Sequence, residues 1–346
     1  MTDLSSQADA ELRRLGATDE EITSARAADA IDLLAVAHAA VPGPPKYTAA
    51  EVAATTHIDR DVARRFWRAL GFPDVPDDEV VFTDADVEAI ETVGTILTSG
   101  MADVEEAVQL TRVIGSSMNR IAEAMVSGST PSGPRLAADA ELVVFAAEDA
   151  LRTQSSLLDY VWRRHLAATV RRQLLGRLHP DLSSSSIAVG FADLVGFTAM
   201  SQQLEQAELA KVVARFEDLA FEQITSHAGR VAKMIGDEVM FAVRDVADAV
   251  ETGLALAEAY ADDELLSDVR VGLACGEVLT YEGDYFGPVV NVASRIVNIA
   301  VPGSVVVSPE VRDALEGDDR FAFHPLRPRH LKDIGRIRLW RVRRPS

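Results

Sequence analysis

Hydrophobic positions in the first half of the chain recur at the spacing of amphipathic helices. Residues 4–40 are rich in Ala and Leu with apolar positions near a period of 3.6, and the segment VPGPP at 41–45 ends this helical stretch. Residues 101–126 predict another helix, and residues 136–178 predict a long helix with at most one break. The Ser- and Gly-rich tract at 127–134 is typical of a linker. The pattern predicts an all-α N-terminal half.

Residues 47–72 predict a short helix, a turn at 55–57 and a second helix from Arg60, followed by a further helix in residues 82–97. This resembles the helix-turn-helix of mercury-resistance-type regulators. A recognition helix would offer four arginines to DNA phosphates, namely Arg60, Arg64, Arg65 and Arg68. The alternative is a helix-turn-helix kept only as a packing unit. We favour that alternative, because the surrounding domain is net acidic and offers no basic face.

The pattern changes at residue 187 to strands that alternate with helices. The predicted order is a strand to Asp193, a helix at 206–227, strands at 230–235 and 238–243, a helix at 245–260, a strand at 269–275, a helix at 289–300 and a strand at 304–307. The order βαββαβ is that of a split, ferredoxin-like sheet with helices on one face. The predicted fold class is therefore α+β.

Composition and charge exclude several classes of protein. The 346 residues are 48% hydrophobic and 25% charged, as in an ordinary globular protein, and no run of about 18 apolar residues predicts a membrane span. The N-terminus lacks the pattern of a secretory signal. The single cysteine, Cys275, excludes internal disulfides and fits a reducing cytoplasm. A net charge of −20 disfavours nonspecific binding to nucleic acid or to anionic lipid.

The segment VGFADLVGFT, residues 189–198, places Asp193 at the end of a buried strand. Gly196 fits a tight turn, and Thr198 stands where its hydroxyl can cap a helix. A strand-end carboxylate followed by free amides suits Mg²⁺ and a polyphosphate, so we expect phosphate oxygens at the amides of 195–198, which are Val195, Gly196, Phe197 and Thr198. The alternative is an Asp that caps its own turn.

A second strand-end carboxylate, Asp237, stands beside a glycine in KMIGDEVM. Two such carboxylates on neighbouring strands can share a pair of metal ions that serve phosphoryl transfer. Lys233 lies four residues before Asp237 on the same hairpin. Asn291 and Arg295 are four residues apart, on one face of a predicted helix. An amide and a guanidinium on one face suit a ribose and a phosphate that gains charge in the transition state.

These motifs resemble the class III nucleotidyl cyclases over residues 187–342. FADLVGFT resembles the first metal motif of the family, KMIGDE the second, and NVASR the transition-state motif. The resemblance implies adenylyl cyclase activity on ATP with two Mg²⁺ or Mn²⁺ ions. The segment 276–284 is short, as in the subclass with a reduced dimerisation arm. None of the motif residues is an obvious general base, so the proton acceptor stays open.

The resemblance also implies a role for each site residue. The implied roles are metal binding for Asp193 and Asp237, adenine recognition for Lys233 and Asp284, the ribose for Asn291, the α-phosphate for Arg295 and the triphosphate for Lys332. The family usually has Gly where Asp333 stands, a departure that weakens the assignment of Lys332. A Lys donor and an Asp acceptor suit adenine, whereas guanine needs the reverse polarity. The alternative is that Lys233 and Asp284 are surface charges.

Sites of this family lie between two catalytic domains, one contributing the metal residues and the other the base, ribose and phosphate residues. The chain carries both sets in one such domain, which implies a homodimer with two equivalent sites. We divide the chain into a helical regulatory domain at 1–135, a linker helix at 136–182 and the catalytic domain at 183–346. The resemblance to actinobacterial soluble cyclases suggests autoinhibition or sensing by the first of these.

Three alternatives compete with this interpretation. A cyclic-di-nucleotide synthase of the GGDEF class shares only IGDE at 235–238 and lacks the Asn–x–x–x–Arg helix. A guanylyl cyclase would carry a different pair at Lys233 and Asp284. A DNA-binding or nucleotide-sensing regulator with a degenerate cyclase domain would rest on the helix-turn-helix. Within the linker helix, His165 and His179 are either pH reporters or, as we favour, solvated histidines.

Overall fold

The structure is a computed structural model that describes residues 2–41, 43–100, 102–127, 140–178 and 186–345. The chain divides into two compact units, residues 1–173 and residues 174–346. Within the described ranges, no helix combines the length and the hydrophobicity that a membrane span requires. The domain boundaries that we drew at residues 135 and 182 stay predictions.

The N-terminal unit is helical, as the hydrophobic pattern predicts. Its helices in the described residues are α1 (Thr2–Leu15), α2 (Asp19–Ala27), α3 (Ile31–Ala40), α4 (Ala49–Thr56), α5 (Arg60–Ala69), α6 (Asp84–Thr98), α7 (Val104–Ser127) and α8 (Ala140–Leu178), the last crossing the division at residue 173. Residues 4–40 form three helices instead of one stretch, because Gly16 adopts φ 109° and Thr18 caps α2 with Glu21 in a capping box. The long helix α8 is unbroken from Ala140.

The predicted order of helix, turn and helix in residues 47–72 is confirmed. Helix α4 ends at Thr56 and is followed by His57, which is left-handed at φ 56°, and Asp59 caps α5. All four arginines proposed for DNA form ion pairs within this unit: Arg60 and Arg64 with Asp77, Arg65 with Glu105, and Arg68 with Asp74. Their charges are therefore already compensated by neighbouring carboxylates, which favours the packing role over a phosphate-binding face.

Two small cores hold the N-terminal unit together. Val144 and Ala147 at the start of α8 are buried against apolar residues of α1 and α3. Phe66 of α5 is buried with Val108 of α7 in the second core.

Of the two linker histidines, His165 is exposed on α8, and His179 lies outside the described residues.

The C-terminal unit alternates strands and helices from residue 186 onward. Its elements are β1 (Ser186–Leu194), α9 (Phe197–Ser201), α10 (Gln206–Ser226), β2 (Arg230–Ile235), β3 (Glu238–Val243), α11 (Val246–Ala261), β4 (Val269–Glu277), β5 (Leu279–Tyr281), β6 (Asp284–Phe286), α12 (Pro288–Val297), β7 (Ser304–Val307), α13 (Pro309–Ala314), β8 (Ala322–Pro325), β9 (Arg329–Leu331), β10 (Gly335–Ile337) and β11 (Trp340–Arg343).

The main sheet confirms the α+β prediction. Its strand order within the described residues is β2-β3-β1-β4-β7-β11-β8, and β1 pairs antiparallel with both β3 and β4. The first four of these strands have the split βαββαβ order. Helices α10 and α11 pack on one face, whereas α12 packs on the opposite face. The two helices of the βαββαβ motif therefore lie on one face as predicted, and α12, which follows the motif, covers the other face.

Successive side chains of β1 point to opposite faces of the sheet. Ala192 and Leu194 are buried towards α10 and α11, whereas Val189 and Phe191 are buried towards α12. Asp193 therefore lies on the α12 side of the sheet. Gly272 of β4 brings α12 close, because a Cβ at that position would lie 2.4 Å from the backbone nitrogen of Val297.

Candidate active site

The two predicted metal residues lie side by side at one end of the sheet. Asp193 is the penultimate residue of β1, and Asp237 lies in the tight turn between β2 and β3. The amide of Leu194 donates a hydrogen bond of 3.0 Å to the carbonyl of Asp237, which ties the turn to β1. On either side of Asp193, the neighbouring strands place Glu238 of β3 and Arg270 of β4 directly opposite it.

The negative charge of this cluster favours the binding of a cation. Burial raises the pKa of Asp237, and the nearby charge of Asp193 raises it further. Burial raises the pKa of Glu238 to about 7, with additional contributions from Asp193 and Asp237. Arg270 forms an ion pair with Asp193, and its buried Nε makes no hydrogen bond with the described residues. One guanidinium thus faces three carboxylates.

The donor set fits a hard divalent cation. Carboxylate oxygens are the ligands that Mg²⁺ and Mn²⁺ prefer, and Mg²⁺ commonly takes only one or two carboxylates with substrate phosphates and water. In the described part of the chain, no group of three or more His, Cys, Asp or Glu side chains is arranged to hold a metal ion. Asp193 and Asp237 would therefore need further oxygen ligands, such as water or phosphate, to complete a coordination sphere.

Glu238 should make stability depend on pH. The pKa of Glu238 in the folded state is about 7, above the ordinary value of 4.5, so the folded protein binds this proton more tightly than the unfolded chain. The stability that this proton provides is full below pH 4.5 and is lost as pH rises through 7. We expect Glu238→Gln to remove that loss. Between pH 5 and pH 8, the free energy of unfolding of the variant should fall by about 2 kcal/mol less than that of the wild type, after allowance for screening at a half-buried group.

Urea unfolding of the metal-free protein at the two pH values measures this difference. Glu264→Gln is the matched control, because Glu264 is exposed. If the free energies of unfolding of Glu238→Gln and of the wild type depend on pH in the same way, the pKa of Glu238 is not raised in the folded protein.

The loop after β1 only partly matches the phosphate-binding prediction. The amide of Val195 is already used, because it donates to the carbonyl of Asp268 at 2.9 Å. Gly196, at φ 78°, is the N-cap of α9, so Thr198 is a residue of that helix and not its cap. No hydrogen bond joins the amides of Gly196, Phe197 and Thr198 to the described residues. Three of the four predicted amides therefore remain available to an anion.

The predicted base-recognition pair is assembled within a single chain. Lys233 of β2 forms an ion pair with Asp284 of β6, although 51 residues separate them. Asp284 also accepts a hydrogen bond of 2.8 Å from the amide of Tyr285. Both side chains of the pair are partly exposed, at 37% and 27%, so a planar base can reach them.

Asn291 and Arg295 lie one turn apart on α12. Asn291 is exposed and Arg295 half-buried, and no hydrogen bond or ion pair in the described residues engages either side chain. No such contact joins them to Asp193 or Asp237 within those residues either. A single chain therefore brings Asp193 beside Asp237 and Lys233 beside Asp284, and it leaves the side chains of Asn291 and Arg295 without a partner in the described residues.

Lys332 is exposed in the turn between β9 and β10. Its neighbour Asp333 is left-handed at φ 66°, a conformation that Gly adopts without strain and that Asp tolerates better than most residues. The departure from Gly at this position is thus compatible with the turn. No contact in the described residues brings Lys332 to Asp193 or Asp237.

Sequence reasoning missed four residues that shape the site. They are Arg230, Glu238, Arg270 and Tyr285. Glu238 stands next to a predicted ligand and could have been found there. Arg270 could not, because it is opposite Asp193 only through the register of β1 and β4.

Comparisons with known proteins identify the family of the chain. Residues 181–343 match the adenylate and guanylate cyclase catalytic domain, and residues 9–131 match the adenylate cyclase regulatory domain. An adenylate cyclase of Streptomyces coelicolor is 33% identical over 86% of this chain and 86% of its own length. A pH-sensitive adenylate cyclase of Mycobacterium tuberculosis is 33% identical over 95% of this chain and 85% of its own length.

Two solved structures are similar to just under half of this chain. The catalytic core of a rhodopsin-guanylyl cyclase with converted specificity, in complex with ATPαS, is 22% identical over 46% of this chain and 96% of its own, with a TM-score of 0.44. The adenylyl cyclase CyaB from P. aeruginosa is 21% identical over 46% of this chain and 95% of its own, with a TM-score of 0.41. From its regulatory and catalytic matches together, the chain belongs to the adenylate cyclase family.

Proposed function

We propose that the chain converts ATP to 3′,5′-cyclic AMP and pyrophosphate at two composite sites of a homodimer. The observation that carries the proposal is the pairing of Lys233 with Asp284 in a subunit that also holds Asp193 beside Asp237. The first pair offers a donor and an acceptor to the edge of adenine, and the second offers oxygen ligands to a metal ion. Relatives named adenylate cyclase over most of the chain support the same reaction.

Asp193 and Asp237 would hold the metal, two Mg²⁺ or Mn²⁺ ions in our proposal. When bound, such ions lower the pKa of a hydroxyl and offset the negative charge of a triphosphate. The amides of Gly196, Phe197 and Thr198 would bind phosphate oxygens, as would Lys332. Each of these groups lowers the electrostatic cost of bringing a polyphosphate to an acidic cluster.

The residues of α12 would act at the reacting centre. Asn291 would orient the ribose so that its 3′-oxygen attacks the α-phosphorus in line with the departing pyrophosphate. Arg295 would donate to the α-phosphate oxygens as they gain charge, a task that suits a planar guanidinium. Neither side chain has a partner within the described part of its own subunit, which supports a site completed by the acidic pair of the other subunit.

The full chain tests the proposal directly. Incubated with Mn²⁺ and either ATP or GTP, it should form cyclic AMP and pyrophosphate in equal amounts and much less cyclic GMP. A dimer in solution should accompany the activity, since one subunit cannot complete a site. Nucleotide binding without turnover would instead leave a nucleotide-sensing regulator with a degenerate cyclase domain.

Base selection should follow the polarity of Lys233 and Asp284. Guanine presents an N–H donor where adenine has an acceptor, and a carbonyl where adenine has an amine. We expect Lys233→Glu combined with Asp284→Ser to lower the ratio of kcat/KM for ATP to that for GTP by at least about 100-fold. Steady-state kinetics with both nucleotides measure the ratio. An unchanged ratio would mean that Lys233 and Asp284 are surface charges that do not select the base.

We further propose that the helical unit regulates the catalytic unit. The match of residues 9–131 to the adenylate cyclase regulatory domain supports this role. The rate of the full chain beside that of a fragment beginning at residue 183 gives the sign of the effect. If the fragment is a dimer and its rate equals that of the full chain at every pH, the helical unit does not regulate the catalytic unit.

A further inference from the structure

The base-recognition residue Asp284 lies on a small hairpin outside the main sheet. Strands β5 and β6 have three residues each and pair only with one another in the described residues. Their two-residue turn, Glu282 and Gly283, has both φ angles positive, at 51° and 79°, as a type I′ turn requires. A two-stranded hairpin of this length is not stable alone, so other contacts must fix where Asp284 lies.

Arg230 of β2 makes two such contacts, one on either side of Asp284. Its guanidinium donates a hydrogen bond of 2.9 Å to the carbonyl of Gly283. The same guanidinium lies over the ring of Tyr285, with its carbon 4.9 Å from the ring centroid. Lys233 holds Asp284 itself, so three consecutive residues of the hairpin are bound by two side chains of β2.

An irregularity in β2 makes this arrangement possible. Residues three apart on a regular strand point to opposite faces. The pairing of β2 with β3 shifts by one residue at Ala232, so that Arg230 lies opposite Ala242 and Lys233 opposite Met240. Ala242 and Met240 are two apart on β3, and both β2 side chains therefore share one face.

We propose that Arg230 is a positioning residue that holds Asp284 in place for the purine, an inference that rests on the proposed function. Lys233 and Asp284 bind each other in the free subunit, and each must turn to the base when the nucleotide enters. Their ion pair can then no longer hold the hairpin. The contacts of Arg230 with Gly283 and Tyr285 do not involve Asp284 and persist through that exchange.

The test compares Arg230→Ala, Arg230→Lys and the control Arg244→Ala in the full chain. Arg244 is exposed just after β3 and is outside the site. We expect Arg230→Ala to raise KM for ATP and Kd for a fluorescent ATP analogue about 5- to 20-fold, with kcat within about twofold. Arg230→Lys keeps the charge without the planar stacking group and should restore only part of the binding.

The same substitutions in an Asp284→Ala background separate positioning from a general loss of structure. If Arg230 acts through Asp284, Arg230→Ala should then change nucleotide binding by less than about twofold. A full-sized effect in that background, or equal binding by Arg230→Ala and Arg244→Ala, overturns the proposal. Wild-type protein that binds ATP but forms no cyclic AMP refutes the proposed function alone, because the binding ratios still decide the role of Arg230.

Discussion

Asp237→Asn should lower the rate of cyclic AMP formation by at least about 1000-fold, because it removes one of the two carboxylates available to a metal ion. Asparagine is nearly isosteric, and the hydrogen bond from Leu194 goes to the main-chain carbonyl, so the turn should keep its shape. The loss should therefore appear in catalysis and not in folding. Steady-state rates with saturating Mn²⁺, beside thermal unfolding of the metal-free protein, measure both.

Asp319→Asn is the matched control, because Asp319 is exposed and far along the chain from the acidic cluster. It should leave the rate unchanged. Asp237→Asn retaining more than about a tenth of the wild-type rate would mean that this carboxylate does not hold the metal, since losing a true ligand costs more. Titration with Mn²⁺ should show weaker binding by Asp237→Asn in the presence of an ATP analogue that lacks the 3′-hydroxyl.

Arg295→Ala should lower kcat about 10²- to 10⁴-fold and change KM little, because its guanidinium is proposed to meet charge that develops only in the transition state. Arg295→Lys should recover little, since an ammonium cannot reproduce the planar fork. Arg295 is half-buried on α12 without a partner among the described residues, so the substitution breaks no structural contact there. A rise in KM with kcat unchanged would instead assign Arg295 to ground-state binding.

A mixture of Asp237→Asn and Arg295→Ala subunits tests whether the site is shared. Random pairing makes half of the dimers mixed, and each mixed dimer has one intact site. Two nearly inactive preparations should therefore regain about a quarter of the wild-type rate when combined. If both residues served a site within one subunit, the mixture would stay as inactive as its components.

Local patterns predicted most of the C-terminal unit. The strands at 230–235 and 238–243 have the predicted bounds, because alternation and a glycine turn are short-range signals. The interrupted stretch at 4–40 also carried local signals, since Thr18 and Glu21 form a capping box that can be read from the sequence. The capping box starts a new helix at this point even though the Ala-rich composition around it is continuous.

The site was less predictable where it depends on contacts distant in sequence. Lys233 and Asp284 were found through a motif, but the approach of Arg270 to Asp193 across 77 residues depends on strand register. The loop sequence predicts a free amide at Val195, whereas that amide donates a hydrogen bond to the carbonyl of Asp268, which is distant in the sequence. Long-range pairing of this kind leaves no periodic trace in the sequence.

The one-residue shift in β2 has a consequence for aligning relatives of this chain. With the extra residue Ala232, an arginine opposite Ala242 stands three positions before the lysine that lies opposite Met240. In a relative whose β2 is regular, the arginine with the same place on the sheet stands only two positions before the lysine. An alignment without gaps would score that arginine as missing, so equivalent residues here must be matched by their partners on β3 and not by their distance from the motif.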